Sequence, residues 1–153
     1  MGKTGKEVYL KFMRAFSKKN KEIGLKQFLV PYFISSHPGC TLDDAIELAE
    51  FLRDIGHQPE QVQDFIPTPG SLSTAMYYSG CNPETGREIF VARNPHEKAM
   101  QRALMQYKNP RNRMLVKEAL LKAGRNDLIG SGDTCLLKKN TGYKAQPAGK
   151  NRP

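Results

Sequence analysis

Gln27-Phe-Leu-Val-Pro-Tyr-Phe-Ile34, followed by Thr41-Leu-Asp-Asp-Ala-Ile-Glu-Leu-Ala-Glu-Phe-Leu-Arg-Asp-Ile55 and then by Val62-Gln-Asp-Phe-Ile66, is the stretch that decides the fold. The first run is apolar or aromatic almost throughout and of strand length, the pattern of a strand covered on both faces. Pro31 within it has no amide to donate, which argues against a central position with full pairing. Thr41 with Asp44 three residues later is a capping box. Ala45, Leu48, Ala49, Leu52 and Ile55 share one face of the helix it opens, with Glu47, Glu50 and Asp54 off that face. The third run is a short strand stopped by Pro67-Thr-Pro-Gly70. Strand, helix, strand is a βαβ unit, so the fold class is α/β and the two strands are expected to be parallel, joined by a right-handed crossover.

On the amino-terminal side, Val8, Phe12 and Phe16 recur at helical spacing with Tyr9 and Met13 beside them, predicting a helix over 6–22 with one buried face, ended by Gly24. On the other side, 75–79 and 88–92 are short aromatic or β-branched runs flanking Asn82-Pro-Glu-Thr-Gly86, which predicts a small hairpin. Asn94-Pro95 opens a helix to about residue 107, with Ala99, Met100, Ala103, Leu104 and Tyr107 inward, and Asn109-Pro110 breaks it. A last helix over about 112–123 aligns Val116, Ala119, Leu120 and Ala123, pairs Glu118 with Lys122, and stops at Gly124. Beyond Ile129 the chain has little to bury; 131–153 reads as a basic tail, disordered from Lys138 onward.

Two parallel strands are too few for a stable sheet, because each needs hydrogen-bonded neighbours and helices over both faces. Three remedies are open: the hairpin joins the sheet, two copies pair along open edges, or another polypeptide supplies the missing strands.

The 153 residues, 39% of them apolar, suffice for one core. The net charge of +9 is unevenly placed. Residues 1–27 carry eight Lys or Arg against two acids, 28–94 three against nine, 95–137 eight against four, and 138–153 five against none. No apolar run approaches the roughly 20 residues that cross a bilayer, and no apolar signal core follows the basic start, so a cytoplasmic chain without a membrane partner is expected. Cys40, Cys81 and Cys135 are too few and too scattered for a disulfide framework and are read as free thiols.

Ser-Ser-His-Pro-Gly-Cys-Thr-Leu-Asp-Asp (35–44), Glu-Gln-Val-Gln-Asp-Phe-Ile-Pro-Thr-Pro-Gly (60–70) and Asn-Pro-His-Glu-Lys-Ala-Met-Gln-Arg-Ala-Leu (94–104) together resemble the C-terminal third of the YgiQ-type radical SAM proteins, over roughly residues 8–137. The resemblance implies that residues 6–71 are the last two strands of a partial (β/α) barrel with their helices, and that 72–130 are the helical extension that follows it. It also implies a [4Fe–4S] cluster and S-adenosylmethionine in the complete enzyme. The cluster of that superfamily is held by a Cys-x-x-x-Cys-x-x-Cys motif after the first strand, and nothing in this chain matches it. The expectation is therefore a detached C-terminal part, inactive alone and binding no cofactor by itself, whose main partner is the missing N-terminal portion. Ser71 stands where many such proteins have threonine. Barrel folds place ligands at the carboxyl ends of their strands, so Ser35, Ser36, Pro69 and Gly70 are the candidate residues bordering S-adenosylmethionine in the complete enzyme.

Other features weigh less. His37 and Cys40 are two potential metal ligands where zinc needs three or four. Gly2-Lys-Thr4 lacks the preceding glycine and strand of a phosphate loop. Asp43, Asp44, Glu47 and Glu50 fit the solvated face and N-terminal charge of their helix. The competing class is a non-catalytic basic module: Arg102, Lys108, Arg111, Arg113, Lys117, Lys122 and Arg125, with Tyr107 among them, could grip RNA, DNA or an acidic protein.

Overall fold

In a computed structural model, residues 5–138 are described, and the chain divides into two compact units at residues 32 and 33. The first unit holds helix α1 (Lys6–Ile23), closed by Gly24 in the left-handed conformation at φ 68°, whose amide bonds back to Asn20 and Lys21 carbonyls. The predicted helix is present, but its predicted buried face is not. No residue of α1 is buried, and Val8 and Phe12 stay more than half exposed. Tyr9, Met13 and Phe16 are half-buried, and Phe12 leans on Phe16 with ring centroids 6.1 Å apart. An apolar stripe on a single helix does not by itself create a core.

The run after α1 is not the full strand that its composition predicts. Residues 25–33 have no regular pairing, and only Ile34–Ser35 (β1) is strand. The pleat is still visible in the burial, since Phe28, Val30 and Tyr32 are 83%, 86% and 68% exposed while Leu29 and Pro31 between them are half-buried. Composition signals that a strand can be covered; pairing requires a second backbone alongside it.

The second unit begins at residue 33 and contains the βαβ unit. Helix α2 (Leu42–Asp54) opens on the full capping box, with Thr41 and Asp44 bonding each other's backbone amides, and buries Ala45, Ile46, Ala49 and Leu52. The predicted second strand contracts to Gln63–Asp64 (β2), parallel to β1 with Ile34 opposite Gln63 and Ser35 opposite Asp64. Among the described residues this sheet has two strands, so each keeps one unpaired edge.

The predicted hairpin is corrected. Residues 72–79 form a helix, α3 (Leu72–Ser79), and all that remains of antiparallel pairing is a single bridge between Cys81 and Glu88. Gly70 turns the chain at φ 79° and Ser71 accepts a bond from the Thr74 amide, so a local N-cap outweighs the β preference of Tyr77 and Tyr78. Helices α4 (Pro95–Met105) and α5 (Arg113–Lys122) follow, α4 with Asn94 as N-cap and proline in its first turn. The predicted Glu118–Lys122 pair is absent: Glu118 takes His96 at 2.7 Å and Lys122 takes Glu97 at 3.5 Å, so both charges tie α5 to α4.

The core lies where α2, α4 and α5 meet, around Ala45, Ala49, Met100, Leu104, Val116 and Leu120. The ordered chain runs further than its composition predicts. Cys135, Leu136 and Leu137 are buried, and β4 (Leu137–Lys138) pairs parallel with β3 (Ile129–Gly130). Three consecutive apolar residues close the end of the helical core. Most of the predicted disordered tail, from 139 on, lies outside the described residues, as does the Gly2–Thr4 segment.

Candidate functional site

The loops leaving the carboxyl ends of β1 and β2 meet α3 and α4, and the three sequence stretches quoted above converge there. Ser35 is fully buried, and its hydroxyl donates to Asp64 Oδ1 at 2.6 Å across the parallel pair. The second oxygen, Oδ2, accepts from Arg102 Nη1 at 2.6 Å, which fastens α4 to the strand end. A carboxylate bridging a hydroxyl and a guanidinium is held by two charge-assisted bonds, stronger than neutral ones.

Ser36 follows in the left-handed region, φ 58°, the sole non-glycine with positive φ among the described residues. Its amide donates to Gln101 Oε1 at 3.1 Å, and Gln101 Nε2 donates to the Cys40 carbonyl at 2.9 Å. One buried amide thus pins both ends of the 36–40 loop. Gly39, at φ 86°, donates to the Phe90 carbonyl and joins this loop to the segment after α3. The Ser36 hydroxyl itself is buried with no partner among the described residues.

His37 points toward α3. Its Nδ1 lies 2.9 Å from the Pro38 carbonyl, which can only accept, so Nδ1 is the donor there, and Nε2 lies 3.1 Å from the Ser73 hydroxyl. The imidazole meets Phe65 edge-on at 5.1 Å, Phe65 meets Tyr77 at 5.7 Å, and Arg93 and Lys98 approach the Tyr77 ring at 5.7 and 5.5 Å. Arg93 also donates to the Tyr77 and Tyr78 carbonyls, where a cation suits the end of α3.

The candidate residues divide. Ser35 and Ser36 are buried, with the Ser35 hydroxyl and the Ser36 amide already bonded, whereas Pro69 and Gly70 are exposed in the turn that leads into α3. Ser71, in the position where threonine is common, caps α3 through its hydroxyl, a role that threonine fills equally well. Sequence reasoning missed Asp64 and Gln101 and placed Arg102 only in a basic run. The available signal was a glutamine between Met100 and Leu104 on an otherwise apolar helix face.

Among the described residues, metal donors are not assembled. Burial, with Asp44 nearby, pushes the Cys40 thiol up to about 11, which keeps it protonated where a ligand must be thiolate. Cys135 is buried, and among the described residues no three of His, Cys, Asp or Glu are placed to hold a metal ion. Asp44 serves as a cap and Glu50 holds Arg125 through both oxygens, so these acids are structural.

Residues 60–152 match the family model described as a domain of unknown function, DUF3362. The chain belongs to the DUF3362 family. The match starts just before β2, so it takes in one strand of the pair together with α3, α4 and α5. This DUF3362 chain is 55% identical over 143 residues to a UPF0313 protein of Clostridium perfringens, covering 94% of the chain and 22% of that relative. It is 57% identical over 138 residues to a UPF0313 protein of Methanocella arvoryzae, covering 90% of the chain and 23% of the relative. A Methanosarcina mazei UPF0313 protein is 57% identical over 139 residues, 91% of the chain and 22% of the relative. The DUF3362 chain therefore spans about a fifth of the length of these relatives. No solved structure matches it, and no helix among the described residues is long and apolar enough to cross a membrane.

Proposed function

We propose that this chain works as the C-terminal part of a YgiQ-type radical SAM enzyme, supplying the closing parallel strands of a partial barrel and the helical cap behind them. The observation that carries the reading is the β1–α2–β2 unit. It is a parallel pair only two residues long, with Phe28, Val30, Tyr32 and Ile34 exposed ahead of its first loop and Ile66 exposed beyond its second strand. Such a pair gains stability when further parallel strands and covering helices complete it. The small share of each UPF0313 relative that the chain spans supports the same reading.

The [4Fe–4S] cluster does not fit the thiols of this chain, since Cys40, Cys81 and Cys135 are scattered and Cys40 is held neutral; its ligands belong to the missing portion. S-adenosylmethionine fits better. The turn at Ile66–Gly70 and the backbone at Phe33–Ser36 stand at the carboxyl ends of the strands, where a barrel binds its ligand. Because the Ser35 hydroxyl and the Ser36 amide are already committed, they would shape this border rather than donate to the ligand. Alone, the chain is proposed to be inactive.

The test is anaerobic reconstitution of the complete enzyme with iron and sulfide. Absorbance near about 400 nm and reductive cleavage of S-adenosylmethionine are the expected results, and their absence removes the family reading. Calorimetric titration of Ser35→Ala and Gly70→Ala variants separates the finer claim: unchanged cofactor affinity removes these loops from the border while leaving the family reading intact.

The basic-module alternative is weakened by geometry. Arg102, Lys122 and Arg125 each face a carboxylate within the chain, which leaves less of the run to meet phosphates.

A further inference from the structure

Helix α1 has two opposed faces. At about 100° per residue, Val8, Phe12, Phe16 and Ile23 fall on one side, and Lys11, Arg14, Lys18 and Lys21 fall within about 80° of arc on the other. These four cations follow at intervals of three, four and three residues, a row about 15 Å long at the helical rise. All four are exposed to solvent, and none has a carboxylate partner among the described residues. Arg14, Lys18 and Lys21 border a shallow open groove together with Met13 and Ser17.

Solvation alone does not call for this arrangement. Like charges three or four residues apart repel and cost a helix stability, and here Arg14 has Lys11 behind it and Lys18 ahead of it, while Lys18 is followed by Lys21. Lys19, just off the row, shows the ordinary alternative, an ion pair with Glu22 at 3.2 Å. Glu7 stands in the first turn, at the head of the row, where an acid suits the helix dipole. The same dipole favours Lys21 in the last turn but gives nothing to Lys11 and Arg14 in the middle. A polyanion lying along the row offsets the repulsion.

The occupant has to carry negative charge along the whole row, which a nucleic-acid backbone does. A lipid surface engages the apolar face instead, and cations opposite that face stand about 10–12 Å further out, above a headgroup layer only about 5–8 Å thick. Ser17 adds a hydroxyl among the cations, a match for the 2′-hydroxyl that separates RNA from DNA. In double-stranded RNA, phosphates and 2′-hydroxyls lie together along the wide, shallow groove. We propose that the basic face of α1 grips the sugar–phosphate backbone of double-stranded RNA, with Lys11, Arg14, Lys18 and Lys21 on phosphates and Ser17 on a 2′-hydroxyl. This surface is separate from the basic run at 102–125, and the inference does not depend on the barrel reading.

Anisotropy of a labelled RNA duplex of about 20 base pairs, titrated with the 153-residue chain, tests it. Affinity is expected to fall about fifty- to a hundredfold between about 50 and 200 mM salt, the loss that roughly three to four phosphate contacts produce. Replacing two cations of the row, Arg14→Gln with Lys18→Gln, should weaken binding about tenfold and make the salt dependence shallower by about two phosphates. Glutamine favours a helix about as well as either residue and ends the repulsion, so circular dichroism should show no loss of helix. Arg111→Gln with Lys117→Gln removes the same charge from exposed positions elsewhere and should bind as wild type does. A DNA duplex of the same sequence should bind several-fold more weakly, and Ser17→Ala should close that gap. Absence of binding, an equal loss in the Arg111 and Lys117 pair, equal affinity for DNA, or tighter binding to phosphatidylserine vesicles overturns the proposal.

Discussion

Ser35 and Asp64 sit opposite each other in the parallel register, and the serine hydroxyl donates to the aspartate across the strand pair at 2.6 Å. With only two residues per strand, the pair has few ladder bonds of its own. The hydroxyl–carboxylate–guanidinium chain through Arg102 does part of the fastening that a longer sheet does with backbone.

Asp64→Ala therefore removes more than a surface ion pair. It leaves the fully buried Ser35 hydroxyl with only a long bond to the Gln63 carbonyl, 3.4 Å, and frees Arg102. The expected loss is about 1–3 kcal/mol in urea unfolding, and a Ser35→Ala, Asp64→Ala double variant should lose less than the sum of the two single changes.

Gln101 and Ser36 should respond in opposite directions. Gln101→Leu deprives the Ser36 amide and the Cys40 carbonyl of their partner in a buried place, and is expected to cost about 2–4 kcal/mol. Ser36→Gly relieves a side chain held at φ 58° and deletes an unpartnered hydroxyl. Its melting temperature should match or exceed that of wild type.

Cys40 gives the alkaline limb a direction. Its thiol is pushed from 9.0 up to about 11 by burial first and Asp44 second, so the unfolded chain gives up this proton before the folded chain does. Stability then falls as pH rises between those two values, by on the order of 1–2 kcal/mol, and is unaffected well below them. Cys40→Ala should flatten this part of the denaturation-versus-pH curve. Iodoacetamide at neutral pH should label Cys40 only after unfolding.

Arg125 joins the carboxyl end of the last helix to α2, holding Glu50 at 3.0 and 3.1 Å while Asp127 takes the other side of its fork at 2.9 and 3.0 Å. Arg125→Met is expected to lower stability by about 1 kcal/mol in dilute buffer and by less in molar salt, measured by thermal melts. The guanidinium also draws the Asp127 carboxyl below its usual range. The wild type should thus shed this contribution as pH falls through the lowered value, and the variant should not.

Much was legible before any tertiary structure. Thr41 with Asp44, Asn94 with Pro95, and Gly24 state where helices start or stop, because capping is settled by a few neighbouring atoms. Most of the apolar face on each of α2, α4 and α5 was legible as well, since burying a stripe at helical spacing is the dominant favourable term, although on α2 Ile46 is fully buried while the expected Leu48 and Ile55 are only partly so. The Pro-Gly-Ser turn before α3 was a local signal too. It outweighs the strand preference of Tyr77 and Tyr78, because the expected partner run at 88–92 offers a single bridge, from Glu88 to Cys81.

By itself, then, the sequence determined helices α1, α2, α4 and α5, the βαβ order and the parallel sense of its strands, all of which follow from local periodicity, caps and connection length. Tertiary structure alone decided that the eight-residue run ending at Ile34 enters the paired strand only at that last residue, that Leu136 and Leu137 belong to the core, and that Gln101, Asp64 and Arg102 knit the strand ends to α4. Those outcomes depend on which backbone or side chain stands alongside in space. A hydrogen bond between residues 65 positions apart leaves no trace in the spacing of either one.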